Sequence, residues 1–144
     1  MGLVDSMGIS RSALQAQRLR MDVVANNLAN MNTTRTPSGG PYHRQTVNLR
    51  AQDGSFSFAN ALSRQGVTQG GVSVDSITED PAPARRVFEP SNPDADAEGF
   101  VLYPDIDVAV EMTDMMSANR SYQANVTALN AIKGMASKAL EIGR

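Results

Sequence analysis

All seven prolines of this 144-residue chain fall between Pro37 and Pro104. Proline lacks the amide hydrogen that a helix interior needs, and its ring clashes with the preceding turn. The flanks are therefore free to form long helices and the middle is not. Three segments follow: an N-terminal core helix (1–35), an extended, β-containing insert (36–104) and a C-terminal core helix (105–144).

Both flanks carry helical stripes. In the first, Leu3, Met7, Leu14, Met21, Val24, Leu28 and Met31 recur in steps of three, four and seven, close to a heptad. Ser10 and Gln17 are polar members of that stripe, and Arg11, Arg18 and Asp22 mark the opposite face. The spacing predicts a helix over about residues 4–31, roughly 40 Å long at ~1.5 Å per residue. In the second flank the stripe is Val108, Met112, Met115, Asn119, Tyr122, Val126, Leu129, Ile132, Ala136 and Leu140. It predicts a helix over about residues 106–142, roughly 50 Å long. Asp105, Asp107, Glu111 and Asp114 crowd its start and Lys133, Lys138 and Arg144 its end, which suits the helix dipole. Gly143 is its expected stop.

The insert has weaker periodicity. Residues 42–50 and 72–77 alternate as strands do, the second run preceded by Gly70-Gly71. Arg86-Val87-Phe88 is a third short candidate, and Phe56 and Phe58 are candidates to fill the insert. The expected fold is mainly α: two long terminal helices in an antiparallel, coiled-coil-like hairpin, with a small, irregular, partly β insert between them.

One helix pair is a lean core when burial contributes ~25 cal/mol per Å². With four Phe, three Tyr and no Trp, the insert adds little to it. The eight Met, with Ala, Val and Leu, point to thin seams whose missing burial comes from other subunits. Amides cluster in both helices: Asn26, Asn27 and Asn30 in the first, Asn119, Gln123, Asn125 and Asn130 in the second. Amides donate and accept, so they can specify helix register. The alternative is that they are solvated positions, with Asn30 as a helix cap.

The net charge of −2 gives no basic excess for nucleic acid or an acidic membrane surface. Without cysteine there is no disulfide, thiolate zinc site or thiol catalysis. No apolar run approaches the ~20 residues of a membrane span. Residues 1–10 lack the basic start and apolar core of a secretory signal, so export without a cleaved signal peptide is the expectation.

Sharper chemistry is not supported. Asp94, Asp96, Glu98 and Gly99 resemble the opening of a calcium loop, with Asp105 at the twelfth position. Pro104 stands where the exiting helix should begin, however, and a solvated turn or contacts with a neighbour's Arg or Lys fit better. His43, the lone histidine, has no nucleophile elbow and reads as a surface residue. The pairs Gly39-Gly40 and Gly70-Gly71 are turn signals. Met112, Met115 and Met116 read as adaptable packing. No catalytic residue, metal, cofactor or small-molecule substrate is expected, and the chain is not read as an enzyme.

Residues 12–17 (Ser-Ala-Leu-Gln-Ala-Gln) followed by Asn26-Asn27-Leu28-Ala29-Asn30 resemble the N-terminal signature of the bacterial flagellar axial family of rod, hook and hook-associated proteins. Glu111-Met112, residues 120–125 (Arg-Ser-Tyr-Gln-Ala-Asn) and the closing residues 139–144 are similar to that family's C-terminal signature. Residues 92–101 with Tyr103-Pro104 resemble a segment of its proximal-rod branch. Thr36-Pro37-Ser38-Gly39-Gly40-Pro41-Tyr42 is longer than the turn common in that family. The resemblance implies a type III-exported structural subunit of the basal-body rod, polymerising helically across the periplasm and transmitting torque. Its implied partners are other copies of itself, other rod proteins and the basal-body ring or export-gate junction. The expected packing residues are Leu14, Met21, Val24, Asn26, Asn27, Leu28 and Asn30, with Met112, Met115, Tyr122, Val126, Leu129 and Ile132. Two rival readings stand beside it: a sister axial protein of the distal rod or hook junction, and a soluble helical-hairpin binding module.

Overall fold

The computed structural model describes residues 3–52 and 70–143. Helix α1 (Leu3–Ala29) and helix α2 (Val108–Ile142) flank four strands: β1 (Gln45–Ala51), β2 (Val72–Glu79), β3 (Arg85–Phe88) and β4 (Phe100–Tyr103). Contacts of Asn27 with Glu111 and of Arg20 with Asp114 show that the helices run antiparallel. α1 packs along α2 and also against β1 and β2. The mainly α hairpin with a small β insert is therefore present.

The helix ends follow local chemistry. α1 closes where the Asn30 amide turns back to donate to the Asn26 carbonyl at 3.0 Å. Thr33 Oγ1 in turn donates to Asn30 Oδ1 at 3.2 Å. α2 opens at Asp107, whose carboxylate accepts from Ala109 N at 2.8 Å, an N-cap that satisfies one orphan amide. α2 has 35 residues and α1 has 27, so α2 is longer by about 12 Å. Beyond Ala136 every described residue of α2 is exposed.

The phase of α2 differs from the apolar stripe. Val108, Met112 and Asn119 are exposed, while Glu111 and Ala118 are fully buried. The buried line runs through Glu111, Met115, Ala118, Tyr122, Asn125, Leu129, Ile132 and Ala136 in steps of four and three. Small side chains, Ala16 and Ser10 on α1 and Ala118 on α2, are buried between the helices, while Met115, Tyr122, Leu129, Ile132 and Ala136 lie on both the expected stripe and the inward line. Among the described residues the buried hydrophobics are Ala16, Val23, Val24, Val101 and Ala118, a core as thin as the sequence implied.

β1 and β2 form an antiparallel pair, with a bulge where Asn48 and Leu49 oppose Ser76 and Val74. All three expected strands occur, as β1, β2 and β3. β4, which pairs with β3, was not anticipated, because Phe100-Val101-Leu102-Tyr103 lacks alternation. Ser12 fastens the first sheet to α1: its hydroxyl donates to Ile9 O at 2.7 Å and accepts from Val72 N at 3.0 Å. Gly71 makes that approach possible, with φ +136° and only 2.9 Å between Ser12 Oγ and the place a Cβ would take. Phe56 and Phe58 lie outside the described residues.

Candidate functional site, a buried clasp between the helices and the insert

The largest fully buried side chains among the described residues include Glu111 and Asn27, at 0% and 1% exposure. They meet where the end of α1, the approach to β1 and the first turns of α2 converge. Asn27 Nδ2 donates to Gln45 O at 2.8 Å and to Glu111 Oε2 at 3.1 Å. Asn27 Oδ1 accepts from Gln45 N at 2.9 Å and from the Tyr42 hydroxyl at 3.0 Å. A primary amide offers two donors and two acceptor lone pairs, and here all four are used. Its paired contacts with the Gln45 backbone imitate a neighbouring strand, so one side chain of α1 extends the ladder of β1.

The Glu111 carboxylate is a charge removed from water. Such a group requires a partner of opposite charge and satisfied lone pairs. Arg44 supplies the charge: its Nε donates to Glu111 Oε1 at 2.6 Å. The same guanidinium lies 3.9 Å from Asp80 Oδ2 and 3.8 Å from Asp114 Oδ2, and Arg20 approaches Asp114 Oδ1 at 3.1 Å. The latter pair is about a third exposed and contributes little by itself. Burial, then the Glu79 and Glu111 carboxylates, hold the Tyr42 hydroxyl above its ordinary pKa of 10.0. The phenol therefore remains a donor to Asn27.

The acidic loop before β4 is a self-contained turn. Asp96 Oδ1 accepts from Glu98 N at 2.9 Å and Phe100 N at 2.8 Å, and its Oδ2 faces Arg86 at 3.4 Å. The Phe100 amide, then the Glu98 amide and the Arg86 guanidinium, hold this carboxyl below its ordinary pKa. Asp94 instead accepts from Thr34 Oγ1 at 2.7 Å and sits 3.8 Å from Arg35. The loop thus spends its acids on partners within the chain. Gly99 closes it at φ +82°, where a Cβ would lie 3.0 Å from the Phe88 ring.

The expected packing residues divide into three groups. Asn27 and Val24 are buried. Leu14, Met21, Leu28, Asn30, Met115, Tyr122, Val126, Leu129 and Ile132 are half-buried. Asn26 and Met112 are exposed, with Met112 at 53%. Only Asn27 belongs to the clasp. Sequence reasoning missed Glu111 and Arg44 as partners, since a reader tracing apolar residues steps onto Met112. The signal was present in the spacing: four residues before Met115 and seven before Ala118 stands a glutamate.

Two family models match the chain. The model described as flagella basal body rod protein covers residues 7–35, which include Asn27. The model described as flagellar basal body rod FlgEFG protein C-terminal covers residues 97–142, which include Glu111. Among curated proteins, the flagellar basal-body rod protein FlgC of Bacillus subtilis is 50% identical, over 96% of this chain and 97% of its own length. The FlgC of Salmonella typhimurium is 42% identical over the full length of both chains. That of Borreliella burgdorferi is 40% identical, over 99% of this chain and 98% of its own.

Proposed function

The chain belongs to the FlgC family of flagellar basal-body rod proteins, and from that premise we propose that it builds the proximal rod by helical polymerisation. In this reading it packs against copies of itself and other rod proteins, meets the ring or export-gate junction at one end, and carries torque without performing catalysis. It reaches the rod by type III export without a cleaved signal. Residues 1–35 and 105–144 form the packed core, and residues 36–104 lie outside it.

One observation supports assembly above the rest. α2 leaves Val108, Val110, Met112, Met116, Met135, Leu140 and Ile142 between 38% and 86% exposed, while the buried hydrophobic residues of the seam are alanine and valine. A helix this apolar on its outer surface gains by being covered again. Rigid transmission needs interlocked helices, and the half-buried Leu14, Met21, Leu28, Met115, Tyr122, Val126, Leu129 and Ile132 stand ready at the seam margins, beside buried Val24. Asn26 and Asn30 supply polar contacts at the end of α1, and Asn27 anchors that end internally.

The test is genetic. In a strain whose only copy of this gene carries Leu28→Asp or Leu129→Asp, an unpaired charge enters the seam. Rod assembly and swimming should be lost in both strains. Normal rods and motility in either strain would remove the seam assignment.

A further inference from the structure

We propose that the buried Glu111–Arg44 pair is the dominant selector of the register of α2 against α1. Its importance in a rod rests on the assembly reading above, but its logic is internal to the chain. The seam is built from small residues (Ser10, Ala16 and Ala118) and half-buried ones that repeat every heptad on α2. Sliding α2 by seven residues, about 10 Å, preserves the period of that line while placing Asn125 where Ala118 sits and Tyr122 where Met115 sits. Periodicity by itself therefore permits more than one register, and the side chains brought to each place decide among them.

Charge discriminates strongly. Among the described residues, the directional contacts from α2 to the remainder of the chain come from Glu111 and Asp114, at one end of a 35-residue helix. Asp114 is 36% exposed and its pairs tolerate displacement. Glu111 is wholly buried, and its counter-charge comes from the insert, not from α1. Arg44 is itself fixed: Asp80 N donates to its carbonyl at 2.7 Å, and the next residue, Gln45, is held by Asn27. Any slipped register leaves Glu111 unpaired in the seam or draws it out, at a disfavour of roughly a hundredfold or more. The insert thereby acts as a gauge for the helices, and the pair's value lies in uniqueness more than in added stability.

The absence of cysteine makes the test clean. From the Arg20–Asp114 contact, one turn along each helix places Ala16 opposite Ala118. Oxidation of full-length chain carrying Ala16→Cys with Ala118→Cys reports the native register. Ala16→Cys with Asn125→Cys, and Ile9→Cys with Ala118→Cys, report slips of one heptad in either direction, since disulfides need Cα atoms within ~7 Å. With the pair intact, the native cysteines should close and the slipped ones should not, by at least about tenfold. In the double variant Arg44→Met/Glu111→Leu, which keeps volume and removes both charges, the slipped disulfides should rise to rival the native one.

Native-only closure in that double variant, with helical content retained, overturns the proposal. Should it not fold, Glu111→Gln decides, because it removes the charge at nearly constant volume: a rise of the slipped disulfides supports charge as the selector, and native-only closure refutes it. Mixed closure without any substitution also refutes it. The same native-register cysteine chain, expressed as the sole copy, separates the two readings. Its incorporation into basal bodies tests the rod assignment independently of which disulfides form.

Discussion

At the residue scale, the clasp makes Asn27 intolerant of its closest mimics. Asn27→Asp keeps the shape and the acceptors but deletes both donors, leaving Gln45 O unpaired and placing a second carboxylate against Glu111. Losing a buried donor while adding like charge costs about 3 kcal/mol. For a chain of this length a drop of roughly 6–12 °C in melting temperature should follow, readable by thermal circular dichroism of the full chain. Tyr42 sets a pH limit. Its hydroxyl titrates above 10.0 in the folded chain, so the stability that goes with the neutral phenol is complete below pH 10. That contribution is lost as the pH rises through the folded value. Chemical denaturation from pH 8 to 11 should show a decline that Tyr42→Phe reduces. Tyr103, raised chiefly by donating to Glu89, contributes a decline of the same sign outside the clasp, which Tyr103→Phe removes separately.

At the element scale, the first sheet is tied to α1 at both ends, by Asn27 at Gln45 and by Ser12 at Val72. Ser12 holds the Val72 amide, and Gly71 provides both the positive φ and the space. Gly71→Ala forces its Cβ to within 2.9 Å of Ser12 Oγ in a conformation alanine avoids. A cost of about 1–3 kcal/mol is expected, with the hairpin amides of β2 losing hydrogen-exchange protection before those of α2. Ser12→Ala in the same chain relieves the clash but forfeits the tether, so it should restore only part of the loss. Gly39, whose Cβ would meet open space, should tolerate alanine better despite a similar φ sign.

At the scale of the whole molecule, the exposed face of α2 allows a test that separates folding from assembly. Met112 is 53% exposed in the first turns of α2 and takes no part in the buried line. Met112→Asp should change the chain's own stability by less than about 0.5 kcal/mol. If that surface is covered by a neighbour, the same substitution should abolish rod assembly and swimming. Unchanged motility would assign Met112 to solvent, leaving the half-buried seam residues as the packing set.

The sequence by itself determined the architecture. Proline confined to residues 37–104 left two flanks able to be helices, and heptad spacing made them helices with an apolar side. Alternation at residues 42–50 and 72–77 set two of the strands, and the Asn26–Asn30 signature carried the family. These are local properties, decided by backbone sterics and by which face repeats. Only the tertiary structure decided the phase of α2 and the partners of its buried charge. Following the apolar stripe at steps of three and four led to Met112 and Asn119, one residue beyond the buried Glu111 and Ala118. In the folded chain the inward line passes through Glu111 and Ala118 and rejoins the stripe at Met115, Tyr122, Leu129, Ile132 and Ala136. The insert, 67 residues before Glu111 in the sequence, delivers the arginine that makes burying a glutamate acceptable. The spacing can place Glu111 on the inward line, but the partner that neutralises it is revealed only by three-dimensional proximity.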